Sequence, residues 1–270
     1  MTSGITMRHY LIAIVLALVM LILWNLLPGK PIHFENIQKS GNIDHDQWDE
    51  ILSRFVDKNG HVDYVGLLSD RNKLTSYLKL LSENPPDPVS WTINERIAYW
   101  INAYNAFTVD LILQHYPIES IKDIGSRIQI PFINSPWDIK FIRIENRKLD
   151  LNNIEHGILR KEFDEPRIHF AIVCASMSCP GLRREAYTSS KLDSQLNQQA
   201  EIFINDIFKN EIETEKLKIS KIFQWFKGDF TKDGTLIEYL NKFSNVQIQS
   251  NAKVEFKPYD WDLNQSPGDP

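Results

Sequence analysis

Cysteine is scarce in this chain: of 270 residues only Cys174 and Cys179 are cysteine. A disulfide framework is excluded, and at most one bridge is available, so burial must hold the core together. Positive charge is also in deficit, with 30 Lys and Arg against 35 Asp and Glu. Setting aside Arg8 and Lys30, residues 31–270 carry a net −7, which argues against a nucleic-acid partner. There is no GxGxxG, no P-loop, no internal repeat and no lipobox cysteine. What remains, 43% hydrophobic and 24% charged, is the composition of a globular protein rather than a disordered or fibrous one.

One long apolar run is present. Leu11 to Trp24 is unbroken, and it extends to Leu27 with only Asn25 interrupting. At helical rise these residues just reach the length that spans a bilayer. No small-x-small pair follows, so the run reads as an uncleaved signal-anchor rather than a cleaved signal peptide. Arg8 and His9 set a weak positive-inside bias, which implies a single-pass inner or plasma membrane protein with an exported (periplasmic or extracellular) body. The organisation expected is a tail at 1–10, the anchor at 11–27, a polar linker at 28–44, one domain at 45–262 and a loose Pro/Gly-rich tail at 263–270. The membrane is the one partner this arrangement implies.

The pattern within 45–262 is helical first and mixed afterwards, which predicts an α+β fold with a helical N-terminal part packed on a small mixed or antiparallel sheet. Trp48, Ile51, Leu52 and Phe55 have the spacing of a helix with one buried face. Asp57, Asn59 and Gly60 resemble half of a calcium loop, but Phe55 and Gly66 stand where its strongest ligands belong, so they read as a turn. A short strand is expected at 61–64 and a second helix at 67–81. Thr92 and Glu95 form a capping box for a long third helix that runs to Pro117. A hairpin is expected around 145–147, a short helix at 152–163, and further helical stretches at 192–208, 223–226 and 236–243, with a last strand at 254–256. The nearly all-apolar run 167–174 reads as a central strand covered on both faces.

Three segments carry a resemblance. Trp100-Ile-Asn102-Ala-Tyr104-Asn105-Ala106, then Ile154-Glu155-His156-Gly-Ile-Leu-Arg160, then His169 through Cys174-Ala-Ser176-Met-Ser178-Cys179-Pro180 resemble the signature of the domain of unknown function 547. The resemblance covers about residues 45–262. It implies a domain found in bacteria, plants and nematodes, and brings no activity with it.

Chemistry must therefore come from the residues. Cys174 closes the apolar run and opens a small-residue turn, a place where a thiol can be reached and where the N–H groups of Ala175 and Ser176 could face an oxyanion. A nucleophilic thiol needs a base, and His156 is the candidate. Its same-face neighbours at helical spacing are Asn152, Asn153 and Arg160, whereas Glu155 points elsewhere. Along a strand, His169 would face away from Cys174. Asn102 and Asn105, one turn apart in an apolar helix, either knit that helix to the Cys174 loop or supply an oxyanion donor. A Cys174–Cys179 disulfide is the redox alternative, and Arg183 with Arg184 could bind an anion. His156, His169, Cys174 and Cys179 match no zinc spacing, so no metal is expected, and no motif requires a cofactor.

Two readings follow. The first is a membrane-anchored envelope protein whose body is a non-catalytic binding or scaffold domain, these same residues forming a buried polar network. The second is a cysteine-dependent hydrolase or acyltransferase, with Cys174, His156 and Asn102 or Asn105 as its catalytic set.

Overall fold

The structure, a computed structural model, describes residues 43–125 and 135–266, which fall within one compact unit. Helix α1 (Asp46–Phe55) buries Trp48, Ile51, Leu52 and Phe55, the face its spacing predicts. The expected strand at 61–64 shrinks to a single bridge at Val62, paired with Val56 and with Gln265. Asp63 instead accepts from the Gly66 amide and caps α2 (Tyr64–Ser69), so the helix expected at 67–81 is two, broken at Asp70 before α3 (Arg71–Glu83). The Asp57 carboxylate accepts from the amides of Asn59 and His61, a local turn that uses the oxygens a cation would need.

Helix α4 (Ile93–His115) is the axis of the fold. Its capping box is formed as expected, and it is buried nearly all round from Ile97 to Leu113. A helix apolar on every face needs neighbours on every face. The hairpin β1 (Ile142–Ile144) and β2 (Arg147–Leu149) follows, then a helix, α5, over 151–162. Asp150 caps it, and its middle, Glu155–Leu159, widens into a π-turn.

The run 167–174 is not a strand. Ile168–Ala171 forms a short buried helix, α6, and the chain then extends. A short apolar run does not by itself distinguish a covered strand from a buried helical turn, and here the Asn105 side chain decides. Its Nδ2 donates to the Ala171 carbonyl at 2.9 Å and its Oδ1 accepts from the Val173 amide at 2.9 Å, which ends the helix there. Asn102 does the same for the next loop, with Tyr187, at 2.8 and 3.0 Å.

Helix α7 (Leu192–Ile204) stops earlier than expected and packs on α6. The second sheet is three-stranded: β3 (Glu211–Ile212) runs antiparallel to β4 (Lys216–Ile219), which pairs in parallel with β5 (Lys253–Phe256). Between β4 and β5 lie the short helices α8 (Ile222–Trp225), α9 (Lys227–Phe230) and α10 (Leu236–Leu240). Phe170 anchors the cluster they form with Phe203, Phe223, Phe230 and Tyr239. The fold is α+β, with small sheets and no central one. The tail is partly tied down: the Asn264 carbonyl accepts from the Val62 amide, and the Ser266 amide donates to the Val62 carbonyl.

The membrane expectation is corrected. Among the described residues no helix is long and apolar enough to cross a membrane, and segment 11–27, which carried the single-pass, exported placement, lies outside them.

Two stability predictions follow from these contacts. Replacing Asn105 with Leu strands a buried carbonyl and a buried amide, so Asn105→Leu should cost about 3 kcal/mol or more in a urea unfolding measurement. His45, buried against the Tyr77 hydroxyl at 2.7 Å, is pulled down to about 4 by burial, against the opposing pull of Asp44. A depressed histidine contributes stability that is complete above the ordinary value near 6.5 and is lost as pH falls towards 4. Unfolding free energy should therefore drop by up to about 3 kcal/mol over that window, and His45→Gln should flatten the dependence.

Candidate functional site

The three motifs converge on one cleft of about 740 Å³. The buried amides of α4 place its floor: by fixing Ala171 and Val173, Asn105 sets where the chain emerges at Cys174. Ala175 then turns the backbone at φ 56°, in the left-handed region that a non-glycine residue enters only under strain. The loop is pinned to the last described segment. Met177 and Ser178 donate backbone amides to the carbonyls of Asp262 and Asp260, and Asn264 donates to the Ala175 carbonyl.

The Cys174 sulfur is half-buried and faces the cleft, 3.1 Å from Ser176 Oγ and 3.2 Å from the Tyr259 hydroxyl. Cys179 is buried, and its Sγ accepts from the Cys174 backbone amide at 2.8 Å. Both are free thiols. Burial raises Cys174, but the hydrogen bonds from Cys179, Ser176 and Tyr259 outweigh it and hold the thiol below its ordinary value. Cys179 goes the other way, pushed well up by burial and by its neighbour.

Another bank comes from the π-turn of α5. Such turns shift the register of the residues they contain, and they recur at functional sites. Here Glu155 turns inward, where Tyr104 donates to it at 3.2 Å, while His156 stays half-exposed. Their separation is 3.9 Å, closer than helical spacing suggests. Arg160 donates to His156 Nδ1 at 3.1 Å and grips Asp229 through Nε at 2.6 Å and Nη2 at 3.2 Å. Buried His169 also holds Asp229, through Nε2 at 2.7 Å, and among the described residues its Nδ1 has no partner. Phe226 lies between the two, stacked on His169 at 3.9 Å and under Arg160 at 5.0 Å.

An aromatic wall completes the cleft. Trp225, 46% exposed, packs on Tyr259 and Trp261 at 4.7 and 6.0 Å, and Trp137 meets Trp261 at 5.6 Å. Lys122 lies over Trp261 at 4.1 Å.

Cys174, Cys179, His156 and His169 therefore share one cleft. That corrects the expectation that His169 faces away, which assumed a strand. The hydrolase reading is also corrected. The thiol bonds to Ser176 and Tyr259 rather than to His156, whose Nδ1 is occupied by Arg160. Asn102 and Asn105 are buried, bond to backbone and do not line the cleft. Among the described residues no group of three or more His, Cys, Asp or Glu is arranged to hold a metal. The buried-network reading fits only the two asparagines, since Cys174, His156 and Arg160 border open space. Arg183 is tied to Glu185 and to Gln198, and Arg184 to the Ser53 carbonyl, in a different groove. The sequence reading took Ser176 only for its backbone N–H, not its hydroxyl, and passed over Asp229, Trp225, Tyr259 and Trp261. Only the density of aromatics in Tyr259-Asp-Trp261 marked any of them.

A family model described as "Protein of unknown function, DUF547" matches residues 88–204. No curated protein and no solved structure is significantly similar to the chain. The matched stretch supplies the thiols, the π-turn, α4 and Trp137, while Trp225, Tyr259, Trp261 and Asp229 come from beyond it.

Asp229 gives the site its acid sensitivity. Burial opposes its charge, but His169 and Arg160 hold it far below the usual carboxylate range. Its contribution is present above the ordinary aspartate value of about 3.9 and disappears as pH falls below it. Asp229→Asn should cost about 3 kcal/mol at pH 7, because it leaves Arg160 and His169 unpaired. The difference in stability between the two proteins should shrink progressively as pH falls below about 3.9, read by thermal unfolding across pH.

Proposed function

We propose from the geometry that the cleft binds a small organic molecule with a ring-shaped apolar face and a polar edge, since the DUF547 model that matches residues 88–204 carries no activity over. The observation that carries this reading is the pairing of two unlike walls. The partly exposed Trp225, backed by Tyr259 and Trp261, shares with Glu155, His156 and Arg160 the lining of one cleft of about 740 Å³. That volume suits a metabolite-sized ligand, and a few convergent polar groups among aromatic rings are the usual composition of such sites. An exposed tryptophan offers a flat apolar surface at little conformational cost. The carboxylate, imidazole and guanidinium supply both acceptors and donors for the edge of the ring.

The reading is tested by titrating the purified chain with sugars, nucleobases and heteroaromatic carboxylates. Tryptophan fluorescence is the signal, since Trp137, Trp225 and Trp261 all line the cleft. A ligand should raise the melting temperature, and Trp225→Ala should weaken binding by about 10-fold or more without altering the melt of the free protein. If every member of the panel leaves both signals unchanged, or if Trp225→Ala and Arg160→Gln bind as well as the parent, the cleft is not a ligand site.

A further inference from the structure

We infer that Cys174 and Cys179 form a hydroperoxide-reactive dithiol, in which Cys174 is oxidised first and Cys179 resolves the product into an intramolecular disulfide. Position supports the order of events. Both thiols line the cleft, but Cys174 is half-buried, so a small oxidant reaches it, whereas Cys179 is buried. Contacts support it as well. Two hydroxyls, Ser176 Oγ at 3.1 Å and Tyr259 at 3.2 Å, converge on the Cys174 sulfur, and a charged sulfur gains more from such donors than a neutral one does. The Cys179 sulfur sits 2.8 Å from the backbone nitrogen of Cys174, two bonds from the carbon that bears the other thiol. Low thiolate energy, access and an adjacent resolving thiol are the three features that mark a redox-sensitive cysteine.

The chemistry balances without further groups. The Cys174 thiolate attacks the peroxide, forming an S–O bond while the O–O bond breaks, and the departing alkoxide or hydroxide takes a proton to become alcohol or water. The Cys179 sulfur then attacks the sulfenic sulfur. An S–S bond forms, the S–O bond breaks, and hydroxide leaves with the Cys179 proton as water. The two thiols together lose two electrons, and the peroxide gains them. Neither His156 nor a metal takes part, and the step does not depend on the ligand proposed for the cleft.

The full chain, reduced and freed of reductant, is treated with hydrogen peroxide in the presence of dimedone, and peptides carrying residues 174 and 179 are weighed by mass spectrometry. The wild type should lose two hydrogens on that peptide, regain them with dithiothreitol, and accumulate little dimedone adduct. Cys179→Ser should collect the adduct on Cys174, and Cys174→Ser should collect none. Tyr259→Phe should slow oxidation of Cys174 by about tenfold, the effect of one hydrogen bond to a charged group. Three results overturn the inference: adduct on Cys179, adduct on Cys174 as abundant in the wild type as in Cys179→Ser, or no oxidation under conditions that oxidise a free cysteine peptide in the same tube. If Cys179→Ser does not fold, the wild-type mass loss and its reversal decide alone.

Discussion

Everything at the candidate site hangs on a buried carboxamide. Asn105 is held in the apolar interior of α4, where an unsatisfied amide would be costly, and it meets that demand by bonding one carbonyl and one N–H of the chain passing beside it. The pair of bonds stops α6 at Ala171 and sets the backbone course into Cys174. Asn102, one turn earlier on the same helix, fixes the loop at Tyr187 in the same way. Two side chains thus convert a rigid helix into a template for two irregular segments. Irregular backbone buried inside a protein must find partners for its polar groups, and here side-chain amides stand in for the missing sheet.

Much of the helical framework was legible. Thr92 and Glu95 announce the start of α4, because a capping box is a local arrangement that needs nothing from the rest of the chain. The apolar spacing of α1 and the i, i+4 placement of Arg160 beside His156 are local in the same sense. The run 167–174 was not legible. Its apolar residues are buried in either conformation, and the group that settles the matter, Asn105, lies more than sixty residues away. The neighbours of Cys174 were hidden for the same reason: Tyr259 comes from a segment whose approach no periodicity encodes. Nor does a π-turn have a sequence signature that helical spacing would reveal, so the inward turn of Glu155 and its nearness to His156 were missed.

The electrostatics of the cleft divide into two compartments. On one side Asp229 collects Arg160 and His169 into a network that Arg160 extends to His156, and among the described residues His169 Nδ1 has no partner in it. On the other the sulfur of Cys174 is served by neutral hydroxyls, with the Tyr259 phenol kept protonated because burial and the adjacent thiols push it far up. Charge is thus stabilised by countercharge in one half and by dipoles in the other. The two halves meet at Phe226 and the aromatic wall, which separate them without adding charge of their own.

The bridges between Ser176 and Leu263 and between Val62 and Gln265 place the last described residues of the chain against some of the first. During synthesis the motif segments, thiols and π-turn included, leave the ribosome well before Tyr259 and Trp261 are made. A nascent chain therefore carries an unfinished cleft, with Cys174 lacking one of its two hydroxyl partners and the aromatic wall absent. The cleft is complete only once Tyr259 and Trp261 have been made and have docked, so the thiol acquires its final environment after its own loop has left the ribosome.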